Sequence, residues 1–71
     1  MDRAMQLRHL AEAERHIALG KRHIADQEQM VADLARLGCD TTEARKLLDN
    51  FYITQVQHIQ HRDRILKELE Q

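Results

Sequence analysis

The 71-residue sequence contains no proline and no serine, only two glycines, one cysteine and two aromatic residues. A serine nucleophile is therefore excluded, and Cys39 has no partner for a disulfide within the chain. Gly20 and Gly38 are too far apart to form a glycine-rich phosphate loop. Phe51 and Tyr52 are too few and too close together for a surface that stacks nucleic-acid bases. The lack of proline permits long helices, and these absences together predict a protein that is not an enzyme.

Charge and hydropathy limit the partners in the same way. Eleven basic and twelve acidic side chains give a net charge of −1, and neither half of the chain is basic. Proteins that bind nucleic acids or anionic membranes usually carry a positive stripe or face. No apolar run reaches the length of a signal-peptide core or a membrane span, and a single cysteine suits a reducing compartment. We expect a soluble cytoplasmic protein with neither nucleic-acid nor membrane partners.

A seven-residue repeat, present in four copies between Arg8 and Ala35, organises the first half of the chain. Its two seam positions, a and d, are occupied by Leu10, Ala13, Ile17, Gly20, Ile24, Gln27, Val31 and Leu34. Such a repeat predicts one long helix that keeps the same face toward a partner. Glycine inside a helix costs about 0.8–1 kcal/mol relative to alanine. Gly20 therefore indicates either a residue that crosses closely at that point or a local bend.

Alanine occupies the next position of the heptad, b, in all four copies and also one heptad before the first copy. These residues are Ala4, Ala11, Ala18, Ala25 and Ala32. Alanine is the best helix former, which is one explanation, but its recurrence at a single position favours a groove for a closely packed second helix. We expect Ala11, Ala18 and Ala25 to line that groove.

The middle of the chain has the signals of a tight connection between two helices. The first helix is predicted to run from about residue 2 to residue 37, where Gly38 supplies a left-handed C-terminal end. Asp40 is the expected N-cap of a second helix with Glu43 completing a capping box, and Thr41 or Thr42 is the alternative cap. A loop over about 38–40 and a helix over about 41–70 predict an antiparallel hairpin, so residues 1–71 form a single all-α domain.

The second helix carries a broad apolar stripe. Its predicted members are Ala44, Leu47, Leu48, Phe51, Tyr52, Gln55, Ile59, Arg62, Leu66 and Leu69, with Val56 and Ile65 at its margins. Folding the chain at Cys39 places Gly20 opposite Ile59, and Gln27 opposite Tyr52. Arg62 is expected to pair with Asp63, or with Glu14 of a neighbouring chain, or else to extend into solvent. The apolar arcs are wider than one partner helix covers.

We therefore expect the hairpin to self-associate, most simply as a homodimeric four-helix bundle, with a tetramer as the alternative. Both the seam residues and the alanine groove contribute to the predicted interface set. Its members are Leu10, Ala11, Ile17, Ala18, Gly20, Ile24, Ala25, Val31, Leu48, Phe51, Tyr52, Ile59, Leu66 and Leu69.

Five histidines are the remaining candidates for chemistry. His9, His16 and His23 recur every seven residues, so one helix cannot bring them to a single metal ion. His58 and His61 have a spacing that can chelate a metal, but a complete site needs further ligands. The fold-back places His16 opposite Asp63, and either of these two residues could add a ligand to His58 and His61. We predict no metal or cofactor, and keep His16, His58 and His61 as an incomplete metal-ligand set or as pH-responsive groups.

Three runs of sequence, 38–44, 47–51 and 58–66, together with the Arg-His-Ile-Ala phrases at 15–18 and 22–25, resemble a group of short uncharacterised bacterial proteins. The resemblance extends over nearly the whole chain. It implies a helical hairpin and a bacterial origin, but it implies no activity.

The sequence thus predicts a non-enzymatic interaction module that self-associates through its heptad seam and binds a helical protein partner. A metal- or pH-responsive histidine-containing bundle is the alternative. Nucleic-acid binding through Arg62 and Arg64 is a third reading, which the charge balance disfavours.

Overall fold

The computed structural model describes residues 2–71, so Met1, which the predicted domain includes, lies outside the described residues. Two helices, α1 (Arg3–Arg36) and α2 (Thr42–Leu69), pack against each other. The predicted all-α antiparallel hairpin is confirmed. It measures 54 × 14 × 13 Å along its principal axes, a rod two helices wide. Within residues 2–71 neither helix is apolar over a length that could cross a membrane.

Gly38 ends α1 as the sequence predicts. Its φ of 75° is the only positive φ among the described residues. The amide of Cys39 donates to the carbonyl of Leu34 at 2.9 Å, and the amide of Gly38 donates to that of Ala35 at 3.1 Å. This pair of bonds is the Schellman motif, which satisfies the last carbonyls of a helix and turns the chain away from its axis.

The start of α2 differs in detail from the predicted capping box. The N-cap is Thr41, the alternative in the sequence analysis, and its side chain makes no capping hydrogen bond. Asp40 instead accepts hydrogen bonds from the hydroxyl (2.7 Å) and the amide (3.0 Å) of Thr42. Both hydrogen bonds lower the pKa of the Asp40 carboxyl, and the one from the hydroxyl has the larger effect. Glu43 pairs with Lys46 at 3.4 Å, so the reciprocal half of the box is not formed.

The heptad seam of α1 is the buried face of that helix. Ile17 and Val31 at position a, and Ala13 at position d, are buried. Every other a or d residue from Leu10 to Leu34 is at least half-buried, whereas all the b alanines are exposed. One partner helix therefore covers only the central stripe, and the alanine stripe is left on the surface.

On α2 the buried stripe is narrower than predicted and lies slightly to one side. It follows alternating spacings of three and four residues through Ala44, Leu48, Phe51, Gln55, His58, Arg62, Ile65 and Leu69. Ile65, predicted at the margin, is the most buried residue of this helix at 4% exposure. Leu47, Tyr52 and Leu66 are 40% exposed or more. The broad apolar arc allowed several stripes, and packing against a single helix selected this one.

The register of the hairpin also differs from the prediction, by about one helical turn. Gly20 faces Gln55 rather than Ile59, and His16 faces His58 rather than Asp63. The segment between the helices runs from residue 37 to residue 41 and is longer than predicted. Along the axis of the hairpin, the C-terminal end of α1 therefore lies beyond the beginning of α2.

Candidate functional site

The middle of the seam contains a polar layer formed by Gln55, Gly20 and Ile17. Gln55 is only 7% exposed, and its Nε2 donates to the carbonyl oxygen of Ile17 at 2.9 Å. Its Oε1 is buried and has no hydrogen-bond partner among residues 2–71. A Cβ added at Gly20 would lie 1.8 Å from that oxygen and 2.7 Å from the Gln55 Cδ. The absence of a side chain at Gly20 thus makes the space for the Gln55 amide, which confirms the predicted close crossing.

Two more buried glutamines cross from α1 to α2. Gln27 Nε2 donates to the carbonyl of Ala44 at 2.9 Å, and Gln6 Nε2 donates to Glu68 Oε2 at 2.6 Å. The predicted pairing of Gln27 with Tyr52 is therefore wrong, since Tyr52 donates instead to Glu28, the residue next to Gln27. Buried amides that lose their partners are destabilising, so the three glutamines oppose sliding of one helix along the other.

Charged groups line the edges of the seam. Tyr52 donates to Glu28 Oε2 at 2.6 Å, and this hydrogen bond raises the pKa of the tyrosine hydroxyl. Arg62 pairs with Asp63 Oδ1 at 2.9 Å through both Nε and Nη2, as one of the predicted alternatives has it. Both pairs lie at the rim, where solvent screens them, so they orient side chains more than they stabilise the fold.

One side of the hairpin, the histidine face, carries His9, His16, His23, His58 and His61. His16 and His58 have ring centres 5.3 Å apart, and His23 lies 5.8 Å from the ring of Phe51. An open groove of about 240 Å³ is lined by His16, Leu19, Gly20, His23, Phe51, Thr54, Gln55 and His58. His61 follows Thr54 by one heptad and so continues the same side of α2.

The predicted ligand set is brought together only in part. His16 and His58 meet across the seam, but His61 does not join them. Within the described part of the chain, no three residues among histidine, cysteine, aspartate and glutamate are grouped so that they could hold a metal ion. His58 is half-buried in the seam. This position was not predicted from the sequence, although alternating steps of four and three residues from Ala44 lead to it.

The opposite side, the alanine face, is formed by Ala11, Ala18 and Ala25 of α1 and by Tyr52, Val56 and Leu66 of α2. All six residues are exposed, and the three large side chains have exposures of 41%, 52% and 40%. Beside Ala18, the side chains of Glu14, Lys21 and Arg62 border a shallow groove. The face thus carries small apolar side chains along α1 and larger, mostly apolar side chains along α2, with charged side chains between them.

The remaining residues of the predicted interface set lie within the hairpin itself. Leu10, Ile17, Gly20, Ile24, Val31, Leu48, Phe51, Ile59 and Leu69 are buried or half-buried between the two helices. In this structure they hold α1 against α2. The exposed members of the set belong to the alanine face.

No protein-family model, curated protein or solved structure matches this chain. Any function assigned to this chain therefore rests on its residues and their geometry.

Proposed function

We propose that the protein is a non-enzymatic, cytoplasmic interaction module that self-associates as a homodimeric four-helix bundle through its alanine face. The observation that carries the proposal is the small core of the single hairpin. Its buried apolar residues are Ala13, Ile17, Val31 and Ile65, two of them small side chains. Chains of this size commonly need a metal, disulfides or oligomerisation to be stable, and Cys39 is the only cysteine.

The shape of the alanine face supports a second hairpin as its occupant. Helix axes pack at about 8–10 Å depending on the contacting side chains, and alanines at Ala11, Ala18 and Ala25 allow the lower end of that range. A lateral face of 54 by 14 Å has a projected area of about 750 Å², which is large enough to accommodate a standard interface of about 800 Å² of accessible surface per partner.

The charges on this face suit a two-fold arrangement. Glu14 and Lys21 lie on either side of Ala18, one heptad apart. A two-fold axis beside Ala18 would place Glu14 of one copy near Lys21 of the other, because equivalent residues exchange places across such an interface. A helical segment of another protein with the same apolar spacing would compete for this surface.

Sedimentation equilibrium over a wide concentration range at neutral pH tests the proposal. We expect a dimer, and we expect Ala18→Glu to weaken dimerisation at least about 100-fold, because the larger side chain would hold apart two helices that alanine allows to approach closely and would add a charge at their contact. Gln60→Glu adds the same charge at an exposed position of α2 and should leave the dimer intact. A monomeric wild type, or an Ala18→Glu variant as dimeric as Gln60→Glu, would contradict the proposal.

The second candidate function, a metal- or pH-responsive bundle, is supported by the contact between His16 and His58. Two imidazoles this close would repel each other if both were charged. The pH-responsive form predicts that the sedimenting mass changes between about pH 5.5 and pH 8. An unchanged mass over that range would exclude it.

A further inference from the structure

His16 and His58 lie on different helices and meet beside the polar layer. Their ring centres are 5.3 Å apart and the ring planes are tilted by 50°. Each histidine is one turn or less from a member of that layer, since His16 precedes Gly20 by four residues and His58 follows Gln55 by three. The hydrogen bond from Gln55 to the Ile17 carbonyl therefore fixes the helix register that brings the imidazoles together.

The separation of the rings is that of two imidazoles on one metal ion. Zinc binds histidine nitrogens at about 2.0–2.1 Å in near-tetrahedral geometry, which holds the centres of two ligand rings about 5 Å apart. The two rings therefore already have the spacing that a shared ion requires.

Among the described residues, the lining of the groove beside the pair contains no aspartate, glutamate, lysine or arginine. The other residues that line the groove are Leu19, Gly20, His23, Phe51, Thr54 and Gln55. His16 is exposed and His58 half-buried, so solvent reaches the space between them. Imidazole ligands select zinc, copper and nickel over magnesium and calcium, which prefer oxygen.

We propose that His16 and His58 form a two-histidine site that binds one divalent transition metal ion per hairpin, with water in the remaining coordination positions. Since the described residues offer no third protein ligand, two of the four tetrahedral positions remain for water, one more than in catalytic zinc sites, and we expect the ion to be held more weakly than there. The ion clamps α1 to α2 at the level of the glutamine layer. This site lies on the histidine face and is independent of dimerisation through the alanine face.

Calorimetric titration of the metal-free full chain with zinc, together with thermal melting followed by circular dichroism, tests the site. We expect about one ion per chain and a melting temperature that rises by at least about 5 °C at saturating zinc, because the ion binds only the folded hairpin. Magnesium at the same concentration should leave the melting temperature unchanged.

Four single variants locate the ligands. His16→Gln and His58→Gln should each weaken zinc binding more than about 10-fold, since each removes one of two protein ligands. His9→Gln alters the same heptad position one repeat earlier, and His61→Gln alters the neighbouring turn of α2; both should change affinity less than about 3-fold. Melting without metal shows whether each variant is folded at the titration temperature, and His16→Gln, at an exposed position, provides the test if His58→Gln is not.

Several results would overturn the proposal. One is the absence of saturable zinc binding, and another is an equal loss of affinity in all four variants. A loss on His61→Gln without a loss on His16→Gln would place the ligands on α2 alone. A stoichiometry of half an ion per chain would show that a second copy, and not water, completes the coordination.

Discussion

Substitution of Gly20 by alanine tests the central packing of the hairpin. In an ordinary helix interior this change stabilises by about 0.8–1 kcal/mol, because alanine has the higher helix propensity. Here the added Cβ would lie 1.8 Å from Gln55 Oε1 and 2.7 Å from its Cδ. The Gln55 side chain must therefore leave its place above Gly20.

The cost of that displacement can be estimated from the contacts of Gln55. The hydrogen bond from its Nε2 to the Ile17 carbonyl contributes about 0.5–1.5 kcal/mol. Loss of the close contact between Oε1 and the Gly20 Cα–H group adds up to about 1 kcal/mol. Part of this free energy is recovered when Oε1 is exposed to water, because Oε1 has no hydrogen-bond partner among the described residues of the seam. We expect Gly20→Ala to be neutral or to destabilise by about 1 kcal/mol instead of stabilising.

A double-mutant cycle with Gln55→Ala separates the steric effect from helix propensity. With the glutamine side chain removed, Gly20→Ala should stabilise by about 0.8–1 kcal/mol. The coupling free energy between the two positions is then about 1–2 kcal/mol, in the range found for residues in contact. Urea denaturation at one fixed protein concentration measures it, since association would make the free energy of unfolding concentration-dependent.

The reasoning would be refuted by a coupling below about 0.3 kcal/mol, which is typical of independent sites. That result would mean that Gln55 does not lie over Gly20 and that the register of the hairpin is different. Arg22→Gly, compared with Arg22→Ala, is a matched control for propensity, because Arg22 is exposed on the same helix and belongs to neither the alanine face nor the histidine face. It should destabilise by about 1 kcal/mol in both backgrounds.

Three further predictions concern the turn and the rim. Gly38→Ala should destabilise by about 1–2 kcal/mol in urea denaturation, because φ is 75° and no atom lies near the added Cβ, so the effect is conformational alone; an unchanged stability would contradict the left-handed cap. Asp40→Ala should lower stability at neutral pH. Because hydrogen bonds from Thr42 lower the Asp40 pKa in the folded state, this carboxylate's contribution is present above about pH 4 and is lost as the pH falls through the folded-state pKa. The two stabilities should therefore converge in acid, and a difference that persists below that window would argue against the carboxylate as the cause. Tyr52→Phe should change how stability depends on pH at the alkaline end, because the hydrogen bond to Glu28 raises the Tyr52 pKa. The contribution of the neutral hydroxyl to stability is present below about pH 10 and is lost as the pH rises through the folded-state pKa. Chemical denaturation at several pH values should show the wild type losing its advantage only there, and equal pH profiles would contradict the contact.

The sequence predicted which residues belong to the candidate sites, but it did not predict how they are arranged. The sequence singled out His16, His58 and His61 and the groove of Ala11, Ala18 and Ala25, since histidine count and alanine periodicity are visible in the letters. It did not pair His16 with His58, because that contact depends on which turn of α2 lies against which turn of α1. His58 also lies in the seam, whereas the predicted stripe contained only its neighbour Ile59 at this turn.

What the sequence alone determined is the local structure. The heptads and the absence of proline specify two long helices, and Gly38 ends the first with the left-handed turn that the structure contains. These features depend on neighbouring residues along one chain, so periodicity and turn chemistry are sufficient to predict them.

The register and the buried stripe of α2 were decided only in the tertiary structure. A heptad pattern looks much the same after one helix slides past the other by a turn, so apolar spacing does not distinguish the pairing of Gly20 with Ile59 from its pairing with Gln55. The difference lies in shape and hydrogen bonding. The space above Gly20 accepts the Gln55 amide, and Gln27 reaches the Ala44 carbonyl only when the helices are aligned as they are. Such contacts exist between helices, and a pattern read along one helix does not contain them.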